Sequence, residues 1–328
     1  MKHPIITSLG LAVLAGASLV TPAYAVVNIG YVGVGNMNNA ADSTGYGAVG
    51  YACQIAQNET TISQYAEFLN AVAKTDTYSL YNGAMTNSYI NGISQGGVSG
   101  SYSYSVNPGS GNKPITYVSW FDAARFCNWM QNGQPSGAQN AITTEDGAYT
   151  LNGALSGVSV SKNVGATVWI PSEDEWYKAA YYDPNKGGAG IGDYWQNPTQ
   201  SDALAGNSIG VAGSANYYYD NGWVGYPGMA LTDVGAYGAN SDSFYGTNDQ
   251  GGNVWEWNDA VISGSSRGLR GGSWFGYDGY LLASSSRYDI VPSNENLVIG
   301  FRVASVPEPS CVVLTILASG MLVTRRKR

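Results

Sequence analysis

The chain has 328 residues, 15 of them basic and 23 acidic, a net charge of −8 and a single histidine, His3. That histidine falls in a removable leader, so the remaining domain cannot form a Ser-His-Asp or Cys-His relay or a His-ligated zinc, copper or iron centre. The acidic balance makes nucleic acid and anionic membrane surfaces poor partners.

The leader reads MKHPIITSLGLAVLAGASLVTPAYA, a short basic start, an apolar run and small residues before a cut after Ala25. Residues 1–25 are a signal peptide on this reading, and the protein is exported. About 280 residues follow, 26–306, enough for one large domain with a full core. From Val26 to Ala56, β-branched residues and tyrosines alternate with Gly and Asn, which predicts strands joined by tight turns. In TTISQYAEFLNAVAK, Ile62, Tyr65, Phe68, Leu69 and Val72 share one face of a helix predicted over about 62–73, and Thr61 with Gln64 resembles a capping box. Thr77–Asn112 is poor in aliphatic residues and reads as surface hairpin and loop. PITYVSWFDAARFCNWMQNG predicts a strand entering Ser119, an N-cap, and a helix over about 120–131 that ends near Gly133. TTEDGAYTLNG is hairpin-like, and VWIPSEDEWYKAAYY is a strand followed by a third helix capped by Ser172 and Glu175. No strong helix signal returns beyond Asp183, and GLRGGSW and IGFRVAS are two closing strands. Cys53 and Cys127 occupy a compartment that permits a disulfide. Because Cys127 sits in the apolar pattern of a helix, two buried thiols are favoured over a bridge.

The other end, VPEPSCVVLTILASGMLVTRRKR, places a Pro-Glu-Pro break before an apolar run from about Cys311 to Val323 and four closing basic residues. The run is shorter than the roughly 18 to 20 residues of a spanning helix, and the basic tail would stay cytoplasmic. This order of parts resembles the PEP-CTERM sorting signal of Gram-negative bacteria that secrete exopolysaccharide. The resemblance implies that residues 307–328 form a transient membrane anchor, recognised and cleaved near Pro307–Pro309 by an exosortase. Without its two ends the chain loses Lys2, Arg325, Arg326, Lys327, Arg328 and Glu308, which takes the net charge from −8 to −12.

Taken together, TTISQYAEFLNAV, PITYVSWFDAARFCNW, IPSEDEWYKAAYY, GGNVWEWND, RGGSW and GFRVA resemble, in that order, the formylglycine-generating enzyme (sulfatase-modifying factor) family over roughly Ala56–Ala304. The resemblance implies an α+β domain, a variant of the C-type-lectin-like fold with three short helices, many short strands and long irregular loops. It also implies an oxidase whose copper is held by a cysteine pair between the GGS strand and the final GFR. Here Gly276 and Leu281 stand about where that pair belongs, and neither supplies the thiolate that selects Cu(I). The related sulfoxide synthases bind iron through histidines, which this domain lacks, so neither copper nor iron is expected. In the variable proteins of diversity-generating retroelements, which share the fold subclass, the segment before the last strand binds ligand. Here it offers Trp274, Phe275, Tyr277 and Asp278, then Tyr280, Arg287, Tyr288 and Asp289, aromatics mixed with charge that suit sugar or protein surfaces. The alternative is that Trp274 and Arg287 are core and strut.

The stretch NDQGGNVWEWNDA sets Asp249 and Glu256 on either side of two glycines, compatible with acid/base chemistry, a hard-metal site or a buried turn. The family resemblance implies a structural calcium ion held by the Asp249 and Glu256 side chains and the Gly252 and Val254 carbonyls. It implies a second ion at Asn216 and the Tyr217 carbonyl, with Asp220 a further candidate. Trp255 and Trp257 are assigned to the core. Glu173, Asp174 and Glu175 open a helix, where a cap or solvated face outweighs catalysis, and Glu59 matches the family's EVT glutamate as a structural acceptor. No facing carboxylate pair of the glycosidase kind is identifiable. The expected function is an exported, calcium-stabilised, non-catalytic binding or matrix module of the cell envelope, surface or extracellular matrix, recognising exopolysaccharide or a surface partner. A divergent oxidoreductase and a purely structural envelope protein are the alternatives.

Overall fold

The computed structural model describes residues 26–218, 231–276 and 278–307. The residues read as a signal peptide and as a sorting tail with its apolar run, and Asp220 and Tyr277, lie outside them. Among the described residues no helix is long and apolar enough to cross a membrane.

Strand β1 (Tyr31–Val34) pairs antiparallel with β2 (Cys53–Ala56), Tyr31 opposite Ala56 and Val34 opposite Cys53. Helix α1 (Ile62–Val72) starts at Thr61, whose side chain accepts from Gln64 N while the Gln64 side chain accepts from Thr61 N. Its apolar face, from Ile62 to Val72, is buried. The Thr77–Asn112 region contains a hairpin, β3 (Ile93–Gly96) with β4 (Ser103–Val106). Helix α2 (Trp120–Gln131) begins at Ser119, and Asp122 completes a capping box there. Most of its circumference is buried, as befits a helix enclosed on all sides. Phe126 on α2 meets Phe68 at 5.5 Å and Phe301 at 5.4 Å, both edge-on, so α1, α2 and the closing segment share one aromatic core.

Strand β5 (Val168–Trp169) leads into α3 (Glu173–Tyr181), capped by Ser172 and Glu175. After it come the short pair β6 (Tyr182–Asp183) and β7 (Asp193–Tyr194). The long β8 (Trp255–Ile262) pairs antiparallel with β9 (Ser266–Arg270), which pairs with β10 (Tyr288–Ile290). Gly271 and Gly272, at φ 101° and 76°, end β9, so GLRGGSW is a strand only as far as Arg270. IGFRVAS divides between two sheets. Its first part, β11 (Ile299–Gly300), runs parallel to β8, and its last, β12 (Ala304–Ser305), inserts between β2 and β5. TTEDGAYTLNG is not a hairpin: Glu145 within it turns inward onto Arg125 of α2 at 2.7 Å, and the segment makes turns and one isolated bridge, Tyr149 to Lys162. Cys53 and Cys127 are separate buried thiols.

Candidate functional site

The loop between β9 and β10 does not present its aromatic and charged residues on one surface. Trp274 is buried, 1% exposed, with Tyr89 at 6.1 Å and Phe275 at 5.3 Å. Asp278 accepts from Tyr280 N and caps the short 3-10 turn Gly279–Leu282. Arg287 donates through Nε and Nη2 to the two oxygens of Glu173, at 2.8 and 2.7 Å. Arg270 donates its Nε to the same carboxylate and its Nη1 to the Ser284 and Ser286 carbonyls. Arg287 is therefore a strut. Asp289 accepts from Ser266 Oγ, and Tyr288 lies against Trp255 at 5.9 Å. Among the described residues, the outward aromatics of this segment are Phe275 at 42% and Tyr280 at 70% exposure and, at the start of β10, Tyr288 at 51%.

The acidic start of α3 is also not a solvated face. Glu173 is buried in the two-arginine clamp, Asp174 accepts from Gly47 N, and Glu175 accepts from Trp169 Nε1, Ser172 N and Tyr51 Oη. A carboxylate removed from water needs such donors.

Gly276 and Leu281 do come together. A methyl group placed on Gly276 would stand 3.1 Å from Leu281 Cδ1, and Leu281 packs on the apolar cluster of Ala205, Ala215, Tyr217 and Leu282. The position is filled by hydrocarbon.

Behind this loop opens a cleft of about 500 Å³ walled by Asp42–Thr44, by Lys186 with Asp193, Tyr194 and Asp202, and by Ala283–Ser285. An adjoining hollow of about 210 Å³ shares Asp42, Asp193 and Tyr194 and adds Tyr182. Lys186 is held by Asp202 at 2.8 Å and lies 4.5 Å from the centre of the Trp195 ring. Burial works against the Asp42 charge, but hydrogen bonds from Tyr177, Ser43 and Thr44 outweigh it and hold the carboxyl below its ordinary range. The cleft thus offers ionised acceptors, hydroxyls and tyrosine faces. Its walls come from three distant segments, so no spacing in the sequence marks it; the one trace is the Tyr/Ser/Asp content of those loops.

The 248–256 stretch forms a buried charged network. Glu256 is 0% exposed and takes Arg302 Nε on Oε2 at 2.6 Å, Arg302 Nη2 on Oε1 at 2.7 Å and Trp176 Nε1 on Oε2 at 2.7 Å. Asp249 adopts a left-handed backbone, φ 59°, and accepts from Gly235 N at 2.5 Å. Burial pushes its carboxyl up to about 6, against Gly235 N and Arg302. Gly252, at φ 85°, lies so close to Asn216 that a Cβ would come within 2.3 Å of the Asn216 carbonyl. That carbonyl accepts from Asn253 N, which brings the Asn216–Tyr217 pair beside the Gly252–Val254 segment. Tyr217 and Val254 are fully buried, as is Trp257, while Trp255 is half-buried.

Does this donor set suit calcium? Asp249 and Asp242 line a cavity of about 10 Å³, room for one water or small ion. Among the described residues no three His, Cys, Asp or Glu side chains converge as a metal cluster, so a cation would draw part of its shell from backbone carbonyls. Carboxylate and carbonyl oxygens together are what a hard divalent ion accepts. The residues fit in part: Asp249 lines the cavity with Asp242, whereas Gly252 and Val254 are not among the residues that wall it. Glu256 fits poorly, because Arg302 and Trp176 already engage both of its oxygens.

The model of the sulfatase-modifying factor enzyme 1-like domain matches residues 20–306. No curated protein matches the chain. Among solved structures, Treponema denticola variable protein 1 is similar at 20% identity and a TM-score of 0.50, over 87% of this chain and 98% of that one. CarF is similar at 20% identity and a TM-score of 0.49, over 86% and 99% of the two chains. PvdO from Pseudomonas aeruginosa is similar at 15% identity and a TM-score of 0.44, over 85% and 92%. At 20% identity the likeness to the Treponema denticola protein concerns the fold, α+β with three helices and many short strands, of the C-type-lectin-like kind.

Proposed function

The chain belongs to the sulfatase-modifying factor enzyme 1-like family, and from that premise we propose that it is a non-catalytic binding module, exported and calcium-stabilised, that recognises a hydroxyl-rich ligand such as exopolysaccharide. The observation that carries this reading is the contact between Gly276 and Leu281: the positions that the family resemblance assigns to the copper thiolates hold a glycine and an aliphatic side chain packed into hydrocarbon. Thiolate-held Cu(I) chemistry has no ligands there. Binding energy is available instead from the Asp42–Tyr194 cleft and from the exposed Tyr280, three residues before the Ala283–Ser285 wall of that cleft. Carboxylates and hydroxyls serve as partners for sugar hydroxyls, and tyrosine rings pack on the apolar faces of sugars. The signal peptide and the PEP-CTERM-like tail support delivery to the envelope, surface or matrix, with an exosortase as the processing partner.

The test is binding of the purified domain to exopolysaccharide and a glycan panel, with calcium and then with chelator. Saturable binding is expected, weakened about tenfold or more, that is by about 1.4 kcal/mol, in Asp42→Asn and Tyr280→Ala. Formylglycine formation on a cysteine-containing sulfatase peptide with added copper would sink the reading. Flat binding across every glycan would move the search to a protein partner.

A further inference from the structure

The last described residues leave the domain along a groove. Ala304 and Ser305 of β12 stand opposite Trp169 and Val168 of β5, and Val306 N continues the ladder by donating to the Thr167 carbonyl at 3.2 Å. Antiparallel pairing carried on in this register runs toward the turn at Val164 and Gly165, the latter at φ 84°. Beside that turn lies a hollow of about 380 Å³, walled in part by Tyr51, Lys162, Val164, Trp169, Val306 and Pro307, a volume within the range of ligand sites. Val164 is fully exposed and Tyr51 about half exposed, so this apolar wall is open to water.

Lys162 carries the one charge among the described residues of the wall. Its backbone is fixed by the bridge to Tyr149, and its ammonium stands 4.2 Å from the centre of the Trp169 ring. The carboxylate beneath it, Glu175 at 4.0 Å, already accepts from Tyr51 Oη, Trp169 Nε1 and Ser172 N. Lys162 can therefore take a second carboxylate without stripping Glu175 of its donors. The chain supplies one at the right place. Pro307 is followed by Glu308, the only acidic residue after it, and then by Pro309. A residue before proline is held extended, which suits continuation along the ladder, and proline rings pack against aromatic walls.

We propose that this hollow is the seat of the chain's own 308–310 segment, with Pro309 against the apolar wall and Glu308 paired with Lys162. The seat sets the direction in which the C-terminal tail leaves the domain, and it is independent of the ligand and calcium readings. An exposed ion pair with one proline ring is a weak contact. It biases the position of the tail without being needed by the fold.

The experiment uses the chain from Val26 to Arg328 in detergent, with bimane attached at Cys311; Cys53 and Cys127 are buried and do not compete for the label. Bimane emission is quenched on contact with tyrosine and tryptophan rings. Wild type should be quenched at least twofold relative to the same labelled chain in urea. Lys162→Glu and Glu308→Lys should each recover half or more of the lost emission, and the two together should restore the quenching, because the pair is then reversed. Glu308→Lys lies outside the domain, so it reads the seat even if Lys162→Glu disturbs the fold. Emission in wild type equal to that in urea would overturn the proposal and leave the hollow to another occupant. Quenching that neither charge change alters would also overturn it, by placing the tail against a different surface.

Discussion

Arg302 uses every guanidinium nitrogen. Nε and Nη2 reach the two oxygens of Glu256, Nη1 reaches the Ala56 and Gln57 carbonyls, and Nη2 also reaches Asn248 O. It is fully buried, so losing the fork would strip donors from Glu256 Oε1 and the Asn248 carbonyl, and would leave Glu256 Oε2 with Trp176 Nε1 and the Gln57 carbonyl with Asn248 N. A lysine keeps the charge but has one nitrogen in place of three and cannot span a carboxylate and three carbonyls in a plane. Arg302→Lys is therefore expected to destabilise the domain by about 3–5 kcal/mol, the range for breaking a buried pair, read as a lower urea midpoint. A loss under about 1 kcal/mol would mean that water or a rearranged carbonyl replaces the network. Glu173 plays a corresponding part close by, where it holds together Arg287 and Arg270, the residue opposite Glu256 in the β8–β9 register.

At the level of elements, the helices carry their own signals and the strands do not. Each helix start is a local chemical bargain between residues three apart, so Thr61 with Gln64 and Ser172 with Glu175 could be read from the chain, and Ser119 could be read as a cap. Asp122, which closes the Ser119 box, obeys the same spacing but lies in an apolar stretch whose pattern reports packing. Burial, then the charge of Glu295, pushes the Asp122 carboxyl up to about 8, against hydrogen bonds from Ser119 and the charge of Arg125. The folded state thus holds this proton more tightly than the unfolded chain, where the group ionises near 3.8. Its contribution to stability is full below that value and is lost as pH rises toward 8, at up to about 1.4 kcal/mol per unit. Urea unfolding of wild type and Asp122→Asn from pH 5 to 8 should show their stability difference drifting in favour of the variant as pH rises. A constant difference would place the Asp122 proton elsewhere. Asp259, pushed up to about 7 by burial against Arg267, should leave a residual slope of the same sign in both. The strands were less legible because pairs of two to four residues give no period to count. IGFRVAS reads as one strand and serves two sheets, since Phe301, Arg302 and Val303 are needed in the core between them. The cleft at Asp42 is not legible in the sequence for a related reason: it is made by segments that meet only after the sheets close.

For the molecule as a whole, the point of closure lies near the C-terminal end of the domain. β12 occupies the middle of its sheet, with Ala304 opposite Ile55 of β2 on one side and Trp169 of β5 on the other. Five residues, Phe301–Ser305, thereby bring an aromatic to the α1–α2 core, the guanidinium to Glu256, and the strand that joins the N-terminal hairpin to β5. Folding cannot be completed until this segment has been made, and nothing after Pro307 is required by the contacts described. Two truncations separate these roles. A chain ending at Pro307, close to the cut proposed for the C-terminal tail, should unfold cooperatively with the urea midpoint of a chain that retains residues 308–328, measured in detergent. A chain ending at Gly300 loses Phe301, Val303 and Ala304, all fully buried, each large-to-nothing deletion costing roughly 2–5 kcal/mol for the bulkier side chains, and it loses Arg302 as well. Against a total stability of about 5–15 kcal/mol, that sum leaves no folded domain, and the expected result is loss of the near-ultraviolet dichroism contributed by Trp176 and Trp257. A cooperative transition in the shorter chain would mean that the β1–β2 hairpin and β5 can close without β12. In that case completion of the fold would not depend on Phe301–Ser305, and processing at the proposed sorting tail would not be ordered after folding by the few residues that follow Ser305.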